Sequence, residues 1–241
     1  MGYDALNLGE REFSHGGSLV KRMAESAGFA LLSANVEARD PLWAPYIIKD
    51  VRGVRIAVVG VVAPSFMAGN TSVKVREPED VLNVLIPRLR KVADICLLLS
   101  HTGHEGTVDL IKRVPGIDIA IAGHGNKNQK PVKIGNTTGN TIVTAAAYKG
   151  EFVGVLTINW NVDDRKIDRF DGDLIHLGKE FESDPEILDI IKKYSAMAGK
   201  QVQAAKQKTI NVERLKKMAP EEFMEFFSKE QEKRQGKGAG Q

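Results

Sequence analysis

Residues 95–106, ICLLLSHTGHEG, and residues 117–126, IDIAIAGHGN, share one grammar. In each, a short apolar run ends in a polar turn that carries a histidine: His101 after Ser100, and His124 between Gly123 and Gly125. A continuous apolar run bounded by turn residues predicts a buried strand. In open α/β sheets, ligands bind outside the carboxyl ends of the strands, and both histidines sit there. Neutral imidazole is the commonest transition-metal ligand, and the flanking glycines let the backbone turn sharply and leave room for a metal or a phosphate. On spacing alone two readings stay open: metal ligation, or loop histidines bonded to nearby backbone.

The surrounding sequence up to about residue 130 is α/β in texture. GSLVKRMAESA (17–27) predicts an amphipathic helix, with Leu19, Val20, Met23 and Ala27 on one side. FALLSANV (29–36) predicts a strand, and YIIKDVRGVRIAVVGVV (46–62) a hairpin that turns at Arg52-Gly53. EPEDVLNVLIPRLRKVA (77–93) predicts a helix with Pro78 in its first turn, where a missing N–H costs nothing, and a kink or early end at Pro87. GTVDLIKRV (106–114) predicts the helix between the two histidine-bearing strands.

After residue 130 the pattern becomes a β meander. PVKIGN (131–136), NTIVTAAAY (140–148), FVGVLTINWNV (152–162) and KIDRFDGDLIHL (166–177) are separated by Gly, Asn and Asp turns. Residues 184–206 return to helix, with Asp184 as N-cap and Pro185 as first helical residue. A charged stretch from Val212 onward predicts a last helix, its Phe223, Phe226 and Phe227 on one face for docking, before a Gly-rich end. The division expected is a domain over 1–198 and a charged helical tail over 199–241.

The bulk properties exclude some classes. With 34 basic and 31 acidic residues in 241, the net charge of +3 is too balanced to argue for a nucleic-acid partner. The single cysteine, Cys96, forms no internal disulfide and reads as a buried small hydrophobe. No apolar stretch reaches the roughly 18–20 residues of a membrane span, and residues 1–13 lack a secretory signal pattern.

The words around the histidines resemble the calcineurin-like metallophosphoesterases, and within them the 5′-nucleotidase branch. LLLSHTGHEG (97–106) is followed by IDIAIAGHGN. GYDALNLGEREF (2–13) looks like that branch's GYDA…GNHEF segment, and LLSANVEA (31–38) like its SANV strand. RIAVVGVVAP (55–64), AAAYKGEFVGVLTINWN (145–161) and DGDLIHLGKEFESDPEILDIIKKY (171–194) follow in matching order. The resemblance implies a four-layered α/β/β/α sandwich with two metals at the carboxyl ends of its strands, here N-terminally incomplete and with a C-terminal helical extension. By resemblance His101 is a ligand of the second metal, and His124 is the first histidine of the family's Gly-His-x-His, a ligand of the same metal.

The chain also departs from that pattern. Asn126 stands where the family's second histidine would bind the first metal, and Gly9-Glu10-Arg11-Glu12 stands for Gly-Asn-His-Glu. Glu10 offers a carboxylate, a better hard-cation ligand than an amide. Arg11 cannot be a general acid near neutral pH, because its pKa lies above about 12. It binds a phosphate through its fork or pairs with Glu10 or Glu12. The Asp-x-His and Gly-Asp strands that open the family's domain, and the nucleotide-binding domain that follows it, have no counterpart among the 241 residues. Open strand edges would then call for a protein partner or a further segment.

The expected function is metal-dependent hydrolysis of a phosphate-ester small molecule at a remodelled site. His101, His124 and Glu10 would hold one divalent transition metal (Zn, Mn or Fe) per chain or none, and Arg11 and Asn126 would face the substrate phosphate. The alternative is a catalytically inactive subunit of the same fold that serves assembly. The resemblance implies a periplasmic or extracellular setting, with the cytoplasm as the alternative. Asn35, at the end of another strand, is a second-tier candidate. His104 reads as a solvated loop residue, His15 as a neighbour of an anion at a helix start, and His176 has no assigned role.

Overall fold

A computed structural model of the chain describes residues 2–14, 17–68, 73–136, 139–146 and 150–197. Its elements in chain order are β1 (Ala5–Asn7), α1 (Glu10–Phe13), α2 (Gly17–Ser26), β2 (Ala30–Leu32), β3 (Val36–Glu37), β4 (Tyr46–Val51) and β5 (Val54–Val62). A 3-10 turn (Pro64–Met67), β6 (Lys74–Val75), α3 (Pro78–Leu89), β7 (Ile95–His101), α4 (Gly103–Arg113) and β8 (Ile119–Ala122) follow. The meander supplies β9 (Asn128–Asn136), β10 (Gly139–Ala146), β11 (Phe152–Asn161) and β12 (Lys166–His176).

Six strands form one sheet in the order β4-β5-β7-β8-β10-β9. The four inner strands are parallel, and antiparallel β4 and β9 close the edges. This explains the long apolar runs: a strand covered on both faces has no solvent side to alternate with. The register sets the site. Val62 lies opposite His101 and Ser100 opposite Ala122, so β5, β7 and β8 end on one rim.

Both faces of the sheet are covered. On one, Leu82, Ile86 and Leu89 of α3 and Leu110 and Ile111 of α4 pack against Val59, Val61 and Leu98. On the other, Ile95, Ile119 and Ile142 meet Leu156, Ile158, Trp160, Ile167 and Phe170 of the β11–β12 hairpin. Burying each of the large aliphatic side chains contributes about 1.5–3 kcal/mol. A third cluster, with Leu8, Phe13, Val20, Leu31 and Met67, joins the short parallel pair β1–β2 to α1, α2 and the 3-10 turn. The α/β class expected from sequence is the one observed.

Local expectations are met in detail at several points. The β4–β5 hairpin turns at Arg52 and Gly53, both at positive φ (56° and 86°), and the Gly53 N–H donates to Asp50 Oδ1 at 2.8 Å. Helix α3 starts at Pro78 and ends at Leu89, two residues beyond Pro87. One expectation differs. FALLSANV is split between β2 and β3, because the chain leaves the β1 partner after Leu32 and Asn35 takes up separate bonds. As expected of KIDRFDGDLIHL, His176 lies in a strand, β12, with its ring 5.0 Å from that of Phe152.

The chain divides into two compact units, Met1–Glu180 and Phe181–Gln241. In the second, residues 185–197 are helical. Asp184 caps that helix, as the sequence predicts: its Oδ1 accepts from the Ile187 N–H at 3.1 Å. The tail expected over 199–241, with Phe223, Phe226 and Phe227, lies outside the described residues, as does His15.

Candidate metal centre

Three side chains from distant parts of the sequence converge on the rim. His101 ends β7, His124 follows β8, and Glu10 opens α1. His101 Nε2 lies 2.6 Å from Glu10 Oε2 and 3.2 Å from His124 Nδ1. His124 Nδ1 lies 3.6 Å from the same Glu10 oxygen. Each side chain is partly open, at 24% (His101), 25% (Glu10) and 36% (His124) exposure.

The backbone holds this convergence. The Gly123 N–H donates to Ser100 O at 2.8 Å and the Gly103 N–H to Gly123 O at 3.0 Å, so the two histidine loops are tied to each other. Gly103 sits at φ 75°, which glycine adopts freely. His124 itself sits at φ 63°, a left-handed conformation that costs a residue with a Cβ about 1–2 kcal/mol. Such strain persists only where the surroundings over-determine it.

The Glu10 carboxyl is lowered from its ordinary value. Burial is the largest single influence and pushes it up, but it is outweighed by hydrogen bonds from its own backbone N–H and from His101, together with the charges of His101 and His124. Glu10 therefore presents a carboxylate at neutral pH.

The donor set fits a divalent transition metal. One carboxylate and two imidazoles are ligands that zinc and its neighbours accept. At metal–ligand lengths of about 2.0–2.2 Å, neighbouring ligand atoms of a tetrahedral site sit about 3.3–3.6 Å apart. The pairwise separations here, 2.6, 3.2 and 3.6 Å, run up to that spacing.

The other expected site residues fare differently. Arg11 extends into solvent with its side chain 91% exposed, its Nε 3.8 Å from Glu10 Oε1. Asn126 is exposed in the loop beyond His124. Neither is drawn into the Glu10–His101–His124 cluster. Asn35 is corrected to a structural residue. Fully buried, its amide donates to Val62 O at 2.8 Å and Arg76 O at 2.7 Å and accepts from the Val62 N–H at 3.0 Å. His104 lies in α4 rather than in a solvated loop, with Nε2 buried and unpartnered among the described residues.

Three supporting residues escape a reading of the sequence. Asn7 donates its amide to Val61 O at 2.8 Å and Leu99 O at 3.0 Å, stapling β1 across the ends of β5 and β7. Glu12 accepts from the Gly9 N–H at 2.8 Å and closes the turn that presents Glu10. The spacing Gly9-x-x-Glu12, half of a capping box, is a signal that could have found it. Phe66 stacks flat on His124, with ring centroids 3.6 Å apart and planes 16° apart.

No family model matches the chain. Among curated proteins it is 25% identical over 224 residues to the 5′-nucleotidase of Bos taurus, covering 80% of this chain and 38% of that protein. It is 30% identical over 154 residues to Protein UshA of Yersinia enterocolitica, covering 55% of this chain and 28% of that protein. The chain thus matches well under half the length of these relatives. Among solved structures it resembles a 5′-nucleotidase precursor from Thermus thermophilus, with a TM-score of 0.70, 24% identity, 84% of this chain and 44% of that one. The calcineurin-like phosphoesterase YfkN from Bacillus subtilis gives a TM-score of 0.69 at 24% identity over 83% of this chain and 72% of that one. These matches show that the chain is similar in sequence to 5′-nucleotidases and carries the fold of the calcineurin-like phosphoesterases.

Proposed function

We propose that this chain hydrolyses a phosphate ester at a site where Glu10, His101 and His124 hold one divalent transition metal. The observation that supports this most strongly is the convergence of the three ligand atoms within 4.8 Å of one another. When bound, such a metal supplies Lewis-acid polarisation of the phosphoryl group. The chain's own residues do the rest. Glu10 contributes negative charge, and the two imidazoles contribute neutral donors from rigid strand ends. Arg11, with its exposed guanidinium next to Glu10, offers a bidentate fork to the non-reacting phosphate oxygens. The Asn126 amide, exposed in the loop beyond His124, would offer further donors.

Nucleotide monophosphates are the first substrate class to test, carried over from the names of the relatives. A periplasmic or extracellular setting is part of the same reading. Among the described residues no helix is long and apolar enough to cross a membrane.

Arg11 favours a second reading. It stands where the resembling family has a leaving-group acid, and its guanidinium gives up no proton near neutral pH. A catalytically inactive subunit that keeps the fold for assembly with a protein partner would tolerate that change.

The test is release of inorganic phosphate from adenosine 5′-monophosphate and from p-nitrophenyl phosphate, with zinc, manganese or iron(II) supplied. The expected result is metal-dependent release that disappears in His124→Ala at unchanged thermal stability. Metal bound without hydrolysis of either ester would replace this reading by the assembly one.

A further inference from the structure

Phe66 has a place in the site that neither core packing nor the resemblance accounts for. It lies on the 3-10 turn after β5, and that turn is tied to the strand that carries His101. The Ala63 N–H donates to His101 O at 3.1 Å, and the Phe66 N–H closes the turn on Ala63 O at 3.1 Å. Met67 is the turn's buried apolar anchor, 5% exposed in the cluster with Leu8 and Phe13. Phe66 is only half-buried, and its ring is directed at imidazoles. It stacks on His124 at 3.6 Å and stands edge-on to His101, with centroids 6.1 Å apart and planes at 89°. The two imidazoles are themselves edge-to-face at 4.9 Å and 80°.

The lone pair of an imidazole nitrogen lies in the ring plane. The plane therefore decides whether Nδ1 of His124 meets the point faced by His101 Nε2 and Glu10 Oε2. The backbone places the Cα and Cβ of His124, but χ2, which sets the ring plane, is a broad torsion that the backbone alone does not fix. A flat aromatic partner does fix it, because rotating the imidazole out of the stack forfeits the contact over the whole ring face. Groups behind a metal ligand that hold its orientation are worth a large share of the affinity.

We propose that Phe66 is a positioning residue for the metal ligands, fixing the plane of the His124 imidazole by stacking so that Nδ1 is delivered beside His101 Nε2 and Glu10 Oε2. The proposal rests on the reading of Glu10, His101 and His124 as a metal site. It predicts that the requirement is for a flat ring at position 66, not for apolar volume.

The experiment titrates the full chain with cobalt(II), reading affinity and the visible absorption of the bound ion, in the wild type and in Phe66→Leu, Phe66→Met and Phe66→Tyr. Thermal unfolding is recorded alongside. The wild type and Phe66→Tyr are expected to bind alike. Phe66→Leu and Phe66→Met are expected to bind about tenfold more weakly, with an altered absorption spectrum and an unchanged unfolding midpoint. In metal-free protein, the upfield ring-current displacement of the His124 ring protons should persist in Phe66→Tyr and vanish in the other two. Equal affinity and an identical spectrum in a folded Phe66→Leu or Phe66→Met protein would overturn the role of Phe66 and leave the metal site standing. No cobalt binding by the wild type would overturn the metal reading itself. Should Leu lower the unfolding midpoint, the more adaptable Met variant decides.

Discussion

Gly9 lies directly beneath the imidazole of His101. A Cβ at Gly9 would come within 2.7 Å of His101 Nε2 and 2.8 Å of Cε1. The residue before Glu10 therefore leaves the space that the His101 ring fills, and the two side chains approach to 2.6 Å.

Gly9→Ala should accordingly displace the His101 ring and weaken metal binding by about tenfold or more, an effect on the scale of other losses of ligand support. The three atoms nearest that Cβ all belong to the His101 ring, so the loss of metal affinity should exceed any loss of thermal stability. Calorimetric titration with zinc, paired with thermal unfolding, checks both halves. Wild-type affinity in the Ala variant would show that the ring has room the structure does not give it.

Asn7 should matter for stability as well as for the site. It bridges two strands through carbonyls at 2.8 and 3.0 Å, three residues before Glu10. Asn7→Ala removes both bonds, and at about 0.5–1.5 kcal/mol each the expected loss is about 1–3 kcal/mol. Urea unfolding measures it. The same variant should show reduced metal affinity, because Glu10 then rides on a loosened β1.

Asn35 provides the contrast. Its three bonds tie the loop after β2 to Val62 and Arg76, and it stands apart from the ligand cluster. Asn35→Ala should cost about 2–4 kcal/mol, since it leaves a buried N–H and carbonyls unpaired. Metal affinity per folded molecule should be unchanged. A variant that kept its stability and lost metal would restore Asn35 to the site.

Asp94 gives the protein a pH dependence of known sign. Its carboxylate, 8% exposed, accepts from the Arg55 N–H at 2.8 Å and pairs with Arg165 on the β11–β12 turn. The Arg55 N–H is the largest influence. It outweighs the opposing effect of burial and, with the charges of Arg165 and Arg55, lowers Asp94 below its ordinary value of 3.8. A carboxyl whose folded pKa is depressed contributes stability that is present above the unfolded value and lost as pH falls through the folded one. Asp94→Asn should therefore be less stable than wild type at pH 7, with the gap closing below about pH 3.8. Chemical denaturation at pH 7, 5 and 3 would show it, and a gap constant across that range would contradict the assignment.

What the sequence revealed was mostly local. The apolar runs ending at His101 and His124 already mark buried strands with a rim, since a central parallel strand needs neither alternation nor polar relief. Arg52-Gly53 and Asp184-Pro185 were legible because turns and caps are made by the residues that form them. The place of Glu10 came from resemblance, since 91 residues separate it from His101 and no periodicity connects them. Asn7, Asn35 and Phe66 were misread or missed for the same reason. Whether an amide is a staple or a ligand depends on which carbonyls the fold brings to it, and a phenylalanine after a strand reads as core until the ring beneath it is seen. Arg11 and Asn126, expected at the substrate from their sequence neighbours, are exposed side chains.

The most direct test of the account is the metal content of the chain purified without added metal or chelator, measured by elemental analysis beside Glu10→Gln, His101→Ala and His124→Ala. The account predicts about one divalent transition metal per wild-type chain, and well below that in each variant, because all three donors are needed for tight retention. Equal metal content in wild type and variants, or none in wild-type protein that has been offered zinc, manganese and iron, would contradict it.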